Sequence, residues 1–453
     1  MKLFTSLLAL SSAITVGYAQ ECTNLLVRKE IRDLTSDEWS YHALALTRMN
    51  SNGWIKWFTR IHNENSMEVH GNSMFLPWHR NFINEFEQTT RRYYPEFTLP
   101  YWDSARDYSS PMNSEVLTYR YVGGNGDPDN NFCITNGPFK NWNLTYPDDA
   151  SCLTRNFTIE DGKMPPWQSP EEMTYITQTF QTYEVFAMVL EQSLHASIHN
   201  AIGGMLPSMN SPNDMIFYLH HSNIDRLWWR WQNLVPNGST LYDGINYDNS
   251  TALVTDKITY FGNTVESILE VGKNGYCYTY QENTPVQKRS AGGSSGADAV
   301  ITNPKMNLAT ALPLDVLKKY FPKLTADGTS SFAVDLPNTV STRAVQFAQK
   351  YDRMVNRSAA GALIDNRNAK LPVVGRTIAD STVITANTIN LSTSPVTGDD
   401  KLADQYKMPY PAAIPESQLK MNNLNLDDYN KYLKNSKEFI DALNNAGYVS
   451  PYI

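Results

Sequence analysis

Residues 190–204 read LEQSLHASIHNAIGG and place His195 and His199 four positions apart in an apolar stretch that ends at two glycines. On a helix this spacing brings both imidazole rings to one face. Two imidazoles so placed can bind one metal ion, although two histidines can also fall at this spacing by chance. The stretch therefore favours a mainly α fold in which helices hold a metal site in their core.

Residues 212–232, PNDMIFYLHHSNIDRLWWRWQ, carry the adjacent pair His220 and His221. Burying two imidazoles in an apolar helix is costly unless they have polar partners. Asp225 follows His221 by four residues, so we expect it to accept the second ring N–H of His221, as carboxylates beside metal-bound imidazoles commonly do. Either histidine could bind the metal. The position of Asp225 favours His221 as the ligand and leaves His220 as a neighbour.

Residues 57–87 supply three more histidines, His62, His70 and His79. We expect His79 to open a helix, and His62 and His70 to lie on irregular chain before it. Together with the three histidines between 195 and 221, they predict two sites of three imidazole ligands each.

The ligand type restricts the metal. Imidazole suits zinc, copper, iron and nickel, and three histidines on one ion also occur in catalytic zinc sites. Two adjoining all-histidine sites without an obvious carboxylate ligand favour copper over zinc, because imidazoles bind both Cu(I) and Cu(II).

Apolar spacing predicts four helices in the first part of the chain. All eight histidines precede residue 222, so their chemistry belongs to that part. The predicted fold class is mainly α, with a four-helix-bundle core that holds a binuclear copper site and a C-terminal extension of mixed fold. The four predicted helices are residues 39–49 behind a cap region at 35–37, 80–94, 175–200 and 214–234.

The N-terminus has the pattern of a signal peptide. Lys2 precedes an uncharged apolar run over residues 3–16, and small residues favour cleavage after Ala19. The run is too short for a membrane span, and no later stretch is long and apolar enough. We therefore predict residues 1–19 to be a signal peptide and the protein to be secreted, with no membrane partner. The net charge of −8 and the absence of a basic run exclude nucleic acid as a predicted partner.

Secretion makes the cysteines and sequons informative. Four cysteines allow three pairings; we expect Cys133 with Cys152 inside one loop, and Cys22 with Cys277 across the first unit. Glycosylation sequons agree with secretion, and they lie at Asn143, Asn156, Asn237, Asn249, Asn356 and Asn390.

The composition changes after residue 288. Lys288-Arg289 is a dibasic pair, and a Gly/Ser-rich run over residues 291–296 follows it. We predict a copper domain over 20–288, a linker with a processing site over 289–299, and an extension over 300–453; a solvated loop is the alternative to the processing site. In the extension we expect strands at 331–336 and 382–391 and helices at 313–320 and 424–443.

The histidine segments resemble those of the tyrosinase and catechol oxidase (polyphenol oxidase) family of type-3 copper proteins, particularly its secreted short fungal members. His70-Gly71 with FLPWHR at 75–80 and LPYWD at 99–103 is similar to the first copper motif and its sequel. His195-x-x-x-His199, the two glycines at 203–204, FYLHH at 217–221 and IDR at 224–226 are similar to the second motif. The resemblance covers residues 25–280, where Arg28 and the run 278–280 resemble the pairing that closes the catalytic domain.

The resemblance implies two copper ions. Copper A would be bound by His62, His70 and His79, and copper B by His195, His199 and His221. In many members the first copper A ligand lies further upstream, which makes His42 the rival of His62.

The chain departs from the family pattern at three positions, of which the first bears on activity. Members with strong monophenol hydroxylation often have Asn or Asp just after the first copper B histidine, where this chain has Ala196. Glu191 matches the carboxylate that holds a water in some members. Glu68 replaces the cysteine that some members link to a histidine, and Met215 stands where proline is common.

The resemblance therefore implies oxidation of o-diphenols (catechols) to o-quinones by dioxygen, with monophenol hydroxylation weak or absent. Asn200 and Ser211 are candidates for the rim of the substrate pocket, or they make ordinary helix-end and loop hydrogen bonds. The extension would cover the site until a processing protease removes it. The alternatives are a full tyrosinase with monophenolase activity, a haemocyanin-like dioxygen-binding protein, and a zinc protein.

Overall fold

The computed structural model describes residues 20–140, 142–281, 299–300, 302–327, 340–365 and 404–453. The predicted signal peptide, the Lys288-Arg289 pair, nearly all of the linker and both predicted strands of the extension lie outside these residues. The described chain is mainly helical, as predicted. Its first helices are α1 Ser36–Ser51, α2 Trp54–Glu64, α3 Ser66–Val69, α4 Phe75–Thr90, α5 Pro170–Thr179, α6 Tyr183–Leu190, α7 Ala196–Ile202 and α8 Met215–Leu234.

Further elements are short or lie in the extension. Helices of the extension are α9 Leu308–Ala311, α10 Leu314–Tyr320, α11 Pro322–Asp327, α12 Thr342–Asp365, α13 Glu416–Met421 and α14 Leu426–Asn445. The strands are β1 Leu26–Arg28, β2 Gly126–Asp127, β3 Cys133–Ile134 and β4 Tyr278–Tyr280. Single 3₁₀ turns cover Ile31–Asp33, Ser104–Asp107, Pro111–Asn113, Glu115–Leu117, Pro128–Asn130, Ser211–Asn213, Val265–Ser267 and Asp404–Tyr406.

Side-chain caps explain where two of the helices begin. Thr35 and Glu38 form a reciprocal capping box at the start of α1, which satisfies two backbone N–H groups that the helix leaves unpaired. The Asp214 carboxylate accepts the N–H of Ile216 at 2.9 Å and starts α8. Three of the four predicted helices are confirmed with ends shifted by a few residues.

The fourth prediction, one helix over residues 175–200, is wrong. The chain forms α5 and α6 with an extended break at Phe180 to Thr182, because Phe180 has β-region backbone angles. The carbonyl oxygen of Phe180 accepts the indole N–H of Trp231 at 2.6 Å. A tertiary contact therefore satisfies the backbone group that the broken helix leaves free, and periodicity along the sequence does not reveal it.

Helices α4 and α8 form the centre of the core. Nearly every residue of both is buried, including the polar ones, and the Phe86 and Tyr218 rings stack at 3.6 Å between centroids. Helix α2 packs on this pair through Phe58, whose ring meets those of Phe82, Phe86 and Tyr218. These helices, with the segment 191–202, bring the histidine segments together.

The two ends of the first unit are tied to each other. Strand β1 pairs in parallel with β4, and Arg28 is aligned with Tyr280. The disulfide Cys22–Cys277 lies beside this pairing, and Cys133–Cys152 closes a local loop. Both predicted disulfide pairings are confirmed.

The extension packs on α5. The Phe439 ring of α14 stacks on Tyr175 at 4.9 Å between centroids. Helices α10 and α14 confirm the two helices predicted there, at 313–320 and 424–443. Among the described residues, no helix is long and apolar enough to cross a membrane.

Candidate metal centre

His62 is presented by a regular helix. It is the ninth residue of α2, where the sequence predicted irregular chain, and it is buried. Its Nδ1 lies 2.8 Å from the carbonyl oxygen of Met209. The signal for α2 was present in the sequence, because its buried residues Ile55, Phe58 and Ile61 recur at the spacing of one helix face; the prediction overlooked it.

His70 and His79 complete a first group. His70 ends the short helix α3 with its Nδ1 3.0 Å from the Ser66 carbonyl oxygen. His79 lies in the second turn of α4 with its Nδ1 2.8 Å from the Phe75 carbonyl oxygen. The ligand-capable atoms of His62, His70 and His79 lie within 4.8 Å of one another.

The hydrogen bonds select the tautomer of all three rings. A carbonyl oxygen can only accept, so each Nδ1 carries the proton and each Nε2 keeps its lone pair. The Nε2 atoms of His62 and His79 are buried and have no hydrogen-bond partner among the described residues. Burial lowers the pKa of His70 to about 4 and those of His62 and His79 well below their ordinary values. The group thus presents neutral imidazoles with free nitrogen lone pairs, the form that binds a metal ion.

A second group forms around His195 and His199. His199 is oriented by its Nδ1, which lies 2.6 Å from the Leu206 carbonyl oxygen. His195 ends a π-helical turn, Glu191–His195, in which Ser193 departs from helical backbone angles. The extra residue of a π turn rotates the following helix, and such turns are frequent at functional sites. Both rings project to one side, 4.5 Å apart between centroids.

The third member of this group involves the adjacent pair on α8. Ligand-capable atoms of His195, His199 and His220 lie within 4.8 Å of one another, so the set within this distance includes His220 and not the predicted His221. The His221 ring stacks on His79 at 4.3 Å and lies 5.0 Å from His195. His221 therefore lies between the two groups, and its assignment as the third copper B ligand stays a prediction.

The donor set fits two metal ions close together. The His70 and His195 rings lie 6.2 Å apart between centroids, and both nitrogens of His195, His220 and His221 are buried without a hydrogen-bond partner among the described residues. Burying so many unpaired nitrogens is costly unless something binds them. All-imidazole donors suit copper.

Asp225 does not contact the histidines, which corrects the sequence-based expectation. Its carboxylate accepts from Arg80 Nε at 2.5 Å and from the Tyr278 and Tyr280 hydroxyls, each at 2.6 Å. The His221 Nδ1 has no partner among the described residues. Burial alone would raise the pKa of Asp225, but Arg80 and Arg28 outweigh burial and the pKa lies below its ordinary value. Asp225, on α8, instead connects Arg80 of α4 with Tyr278 and Tyr280 of β4 and stabilises the packing of the helices that carry the site.

Glu191 links the two histidine segments. Both of its carboxylate oxygens accept the backbone N–H of Gly71, at 3.0 and 3.1 Å. Gly71 directly follows His70, and Glu191 begins the π turn that carries His195. Burial raises the pKa of Glu191 well above its ordinary value.

The other predicted site residues lie around the histidines. Ala196 is buried and offers only a methyl group. Asn200 lines a different cavity, of about 90 Å³, between α7 and residues 412–415 of the extension. Ser211 is buried and lines the small cavity over the histidines. His42 lies elsewhere, with its two ring nitrogens against the carbonyl oxygens of Glu38 and Thr98 at 2.7 and 3.0 Å, and it is in neither histidine group.

The cavity over the histidines has a volume of about 10 Å³, room for about one water molecule. His62, His70, His195 and His199 form its floor. The loop 206–211 forms one wall, and the extension supplies Gln418, Met421 and Asn422 as another. The sequence analysis missed these three residues because no local pattern marks them.

Comparison with known proteins adds to this geometry. The model of the common central domain of tyrosinase matches residues 38–234. The tyrosinase ustQ of Aspergillus flavus is 32% identical over 303 residues, which cover 60% of this chain and 84% of the relative. The chain belongs to the tyrosinase family. Grixazone synthase of Streptomyces griseus is 29% identical to this tyrosinase-family chain over 265 residues, 47% of the chain and 85% of the relative.

Solved structures give partial superpositions. A polyphenol oxidase from Thermothelomyces thermophila superposes with a TM-score of 0.48 and 22% identity, covering 58% of this chain and 91% of the other. A functional unit of octopus haemocyanin superposes with a TM-score of 0.41 and 17% identity, covering 56% of this chain and 68% of the other. The family is one of binuclear copper proteins, whose enzymes use phenolic substrates and dioxygen.

Proposed function

We propose that this tyrosinase-family protein is a binuclear copper oxidase that converts o-diphenols to o-quinones with dioxygen and hydroxylates monophenols weakly or not at all. The observation that carries the proposal is the pair of adjoining, largely buried histidine groups, of which His62, His70, His195 and His199 line one small cavity. In this proposal copper A is bound by His62, His70 and His79.

Copper B would be bound by His195, His199 and His221. Bound copper supplies the activation of dioxygen and accepts the two electrons that a catechol gives up. The chain contributes orientation: backbone carbonyls hold the Nδ1 atoms of His62 and His199, so the opposite nitrogens are aimed before any ion arrives. Buried aromatic rings around the site limit the access of water.

Ala196 and Glu191 support the preference for catechols. Deprotonating a monophenol calls for a base or an oriented water beside copper B, and the Ala196 methyl group cannot hydrogen-bond to either. Glu191 is engaged with the Gly71 N–H through both oxygens. A catechol depends less on such a base, because it already carries both oxygens and needs no hydroxylation.

The test combines metal analysis with turnover. Mass spectrometry of the purified protein should find two copper ions per chain, and catechol should yield quinone steadily while the matching monophenol reacts slowly after a long lag. Equal rates on both substrates would identify a full tyrosinase. Reversible dioxygen binding without turnover would identify a haemocyanin-like carrier, and zinc in place of copper would refute an oxidase.

We further propose that the copper domain covers residues 20–288, that 289–299 is a linker cleaved at Lys288-Arg289, and that the extension, residues 300–453, shields the site. Gln418, Met421 and Asn422 support the shielding because they wall the histidine cavity. A Cβ at Gly71 would collide with the backbone of Asn423, so the extension packs directly against the residue after His70.

The shielding proposal is tested by limited proteolysis. Uncleaved protein should oxidise catechol slowly, and cleavage near Lys288-Arg289 followed by loss of the extension should raise the rate. An intact chain as active as the cleaved one would show that the extension does not shield the site.

Secretion is part of the same proposal. Two disulfides form in the structure, and such bonds persist in oxidising compartments. Expression with residues 1–19 in a eukaryotic host should deliver protein to the medium with its N-terminus at Gln20. Retention of an uncleaved N-terminus inside the cell would contradict it.

A further inference from the structure

Two adjacent acidic residues are buried where the extension meets the first unit. Glu171 and Glu172 occupy the first turn of α5, and their exposed fractions are 0% and 1%. Acidic residues are rarely buried so completely without a partner of opposite charge. Neither residue takes part in the proposed chemistry, so their burial calls for a separate explanation.

Their hydrogen-bond partners come from the last residues of the extension. Glu172 Oε1 accepts from the hydroxyls of Tyr432 at 2.8 Å and Ser436 at 2.6 Å, both on α14. Glu171 Oε1 accepts from the Tyr448 hydroxyl at 2.9 Å. These partners are 260 or more positions away in the sequence. Hydroxyl groups bond to one oxygen of each carboxyl and neutralise no charge.

The nearby titratable groups leave the pair without a compensating cation. Tyr175 and Tyr432 face Glu172. Tyr108 and Tyr448 face Glu171, and Ser450 also bonds to Glu171. The charged groups on the surrounding elements act elsewhere: Lys319 pairs with Glu438 at the surface, and Arg343 acts on Tyr108. Among the described residues, no Lys or Arg is one of the strongest influences on the pKa of either glutamate.

We propose that Glu171 and Glu172 form a proton-dependent latch, in which the protonated carboxyls hold the C-terminal extension against the first unit and loss of a proton weakens its attachment. The proposal rests on the proposed function in one respect, that the extension shields the copper site. It adds which contact holds the extension and what loosens it.

The direction in which docking depends on pH follows from the environment of the carboxyls. The first turn of a helix favours a negative charge, yet burial outweighs this and raises the pKa of Glu172 from 4.5 to about 7. Burial also raises the pKa of Glu171. When the extension leaves, water reaches Glu172 and its pKa returns towards 4.5. Docking of the extension therefore takes up protons. It is strongest in acid and weakens as the pH rises above 4.5. Above pH 7 the contribution of Glu172 to docking is lost.

The test is hydrogen exchange of the uncleaved chain, followed by mass spectrometry on peptides from α14. With a pKa of about 7 docked and 4.5 released, Glu172 alone makes opening roughly 7-fold more frequent at pH 6.5 than at pH 5.5, after correction for intrinsic exchange. Glu172→Gln keeps an acceptor for both hydroxyls but cannot ionise, so most of this dependence should disappear. Glu184→Gln is the matched control, because Glu184 lies exposed in the first turn of α6.

Each outcome of the exchange experiment either supports or overturns the proposed latch. Opening of α14 that is equal at the two pH values in the wild type, or a dependence of undiminished size in Glu172→Gln, would overturn it. Ser436→Ala removes one hydroxyl donor and leaves the carboxyl; it should loosen α14 while keeping the pH dependence, and it serves if Glu172→Gln does not fold. The exchange measurement needs neither copper nor turnover. An inactive protein with pH-dependent opening would therefore refute the proposed function and not the latch.

Discussion

Gly71→Ala would test whether the extension presses on the histidine cavity. Gly71 has φ +67°, and a Cβ there would lie 2.8 Å from the carbonyl oxygen of Asn422 and closer still to that of Asn423. The left-handed conformation costs an L-residue about 1–2 kcal/mol, in the cleaved and the uncleaved protein alike. Overpacking costs a further 1–3 kcal/mol or so, but only while the extension is docked.

The cost of overpacking determines how far Gly71→Ala shifts the extension from its closed to its open position. A bias of about 1–3 kcal/mol corresponds to roughly 5- to 150-fold in the ratio of open to closed chains. We expect Gly71→Ala to raise catechol oxidation by the uncleaved chain by about this factor, up to the level of full opening. The rate is divided by that of the same variant after cleavage, because the Gly71 N–H also donates to Glu191 and the substitution can disturb the site itself.

Gly53→Ala is the matched control. Gly53 also has a left-handed backbone, φ +79°, but a Cβ there would meet nothing within 4 Å. Oxygen uptake with catechol measures activity, and thermal unfolding measures the shared backbone strain. If both variants lose stability and the ratio of uncleaved to cleaved activity stays at the wild-type value in Gly71→Ala, the extension does not press on Gly71 and the shielding argument fails.

Three further predictions concern the site, its selectivity and its frame. His221→Asn should halve the copper content and abolish turnover, while His220→Asn should keep two copper ions; the reverse outcome would assign the ligand to His220, which lies in the donor set with His195 and His199. Ala196→Asn should shorten the lag and raise the monophenol rate relative to the catechol rate, and an unchanged ratio of the two rates would remove the argument from this position. Replacing Cys22 and Cys277 with Ser opens a loop with a sequence separation of 255 and should lower the free energy of unfolding by up to about 5 kcal/mol, measured by denaturant unfolding; a loss under about 1 kcal/mol would contradict the loop-entropy argument.

Local patterns determined much of the site. The spacing of His195 and His199, and the clustering of His62, His70 and His79, predicted two histidine groups, and the structure brings these residues together. Residue type and spacing suffice here because imidazole is a specific ligand and a helix turns at a known rate. Both disulfide pairings followed from the position of the cysteines in the chain.

Long-range packing decided the rest. Asp225 was expected at His221 because they are four apart on one helix, yet two arginines and two tyrosines hold its carboxylate elsewhere. The break at Phe180, the closeness of His220 to His195, and the wall that Met421 forms over the cavity have the same origin. Each depends on a contact between segments far apart in the chain. The amino-acid sequence alone thus determined which residue types could bind metal and on which helix face they lie. The tertiary structure decided which buried polar groups pair with each other, because each group has several possible partners along the chain and only packing selects among them.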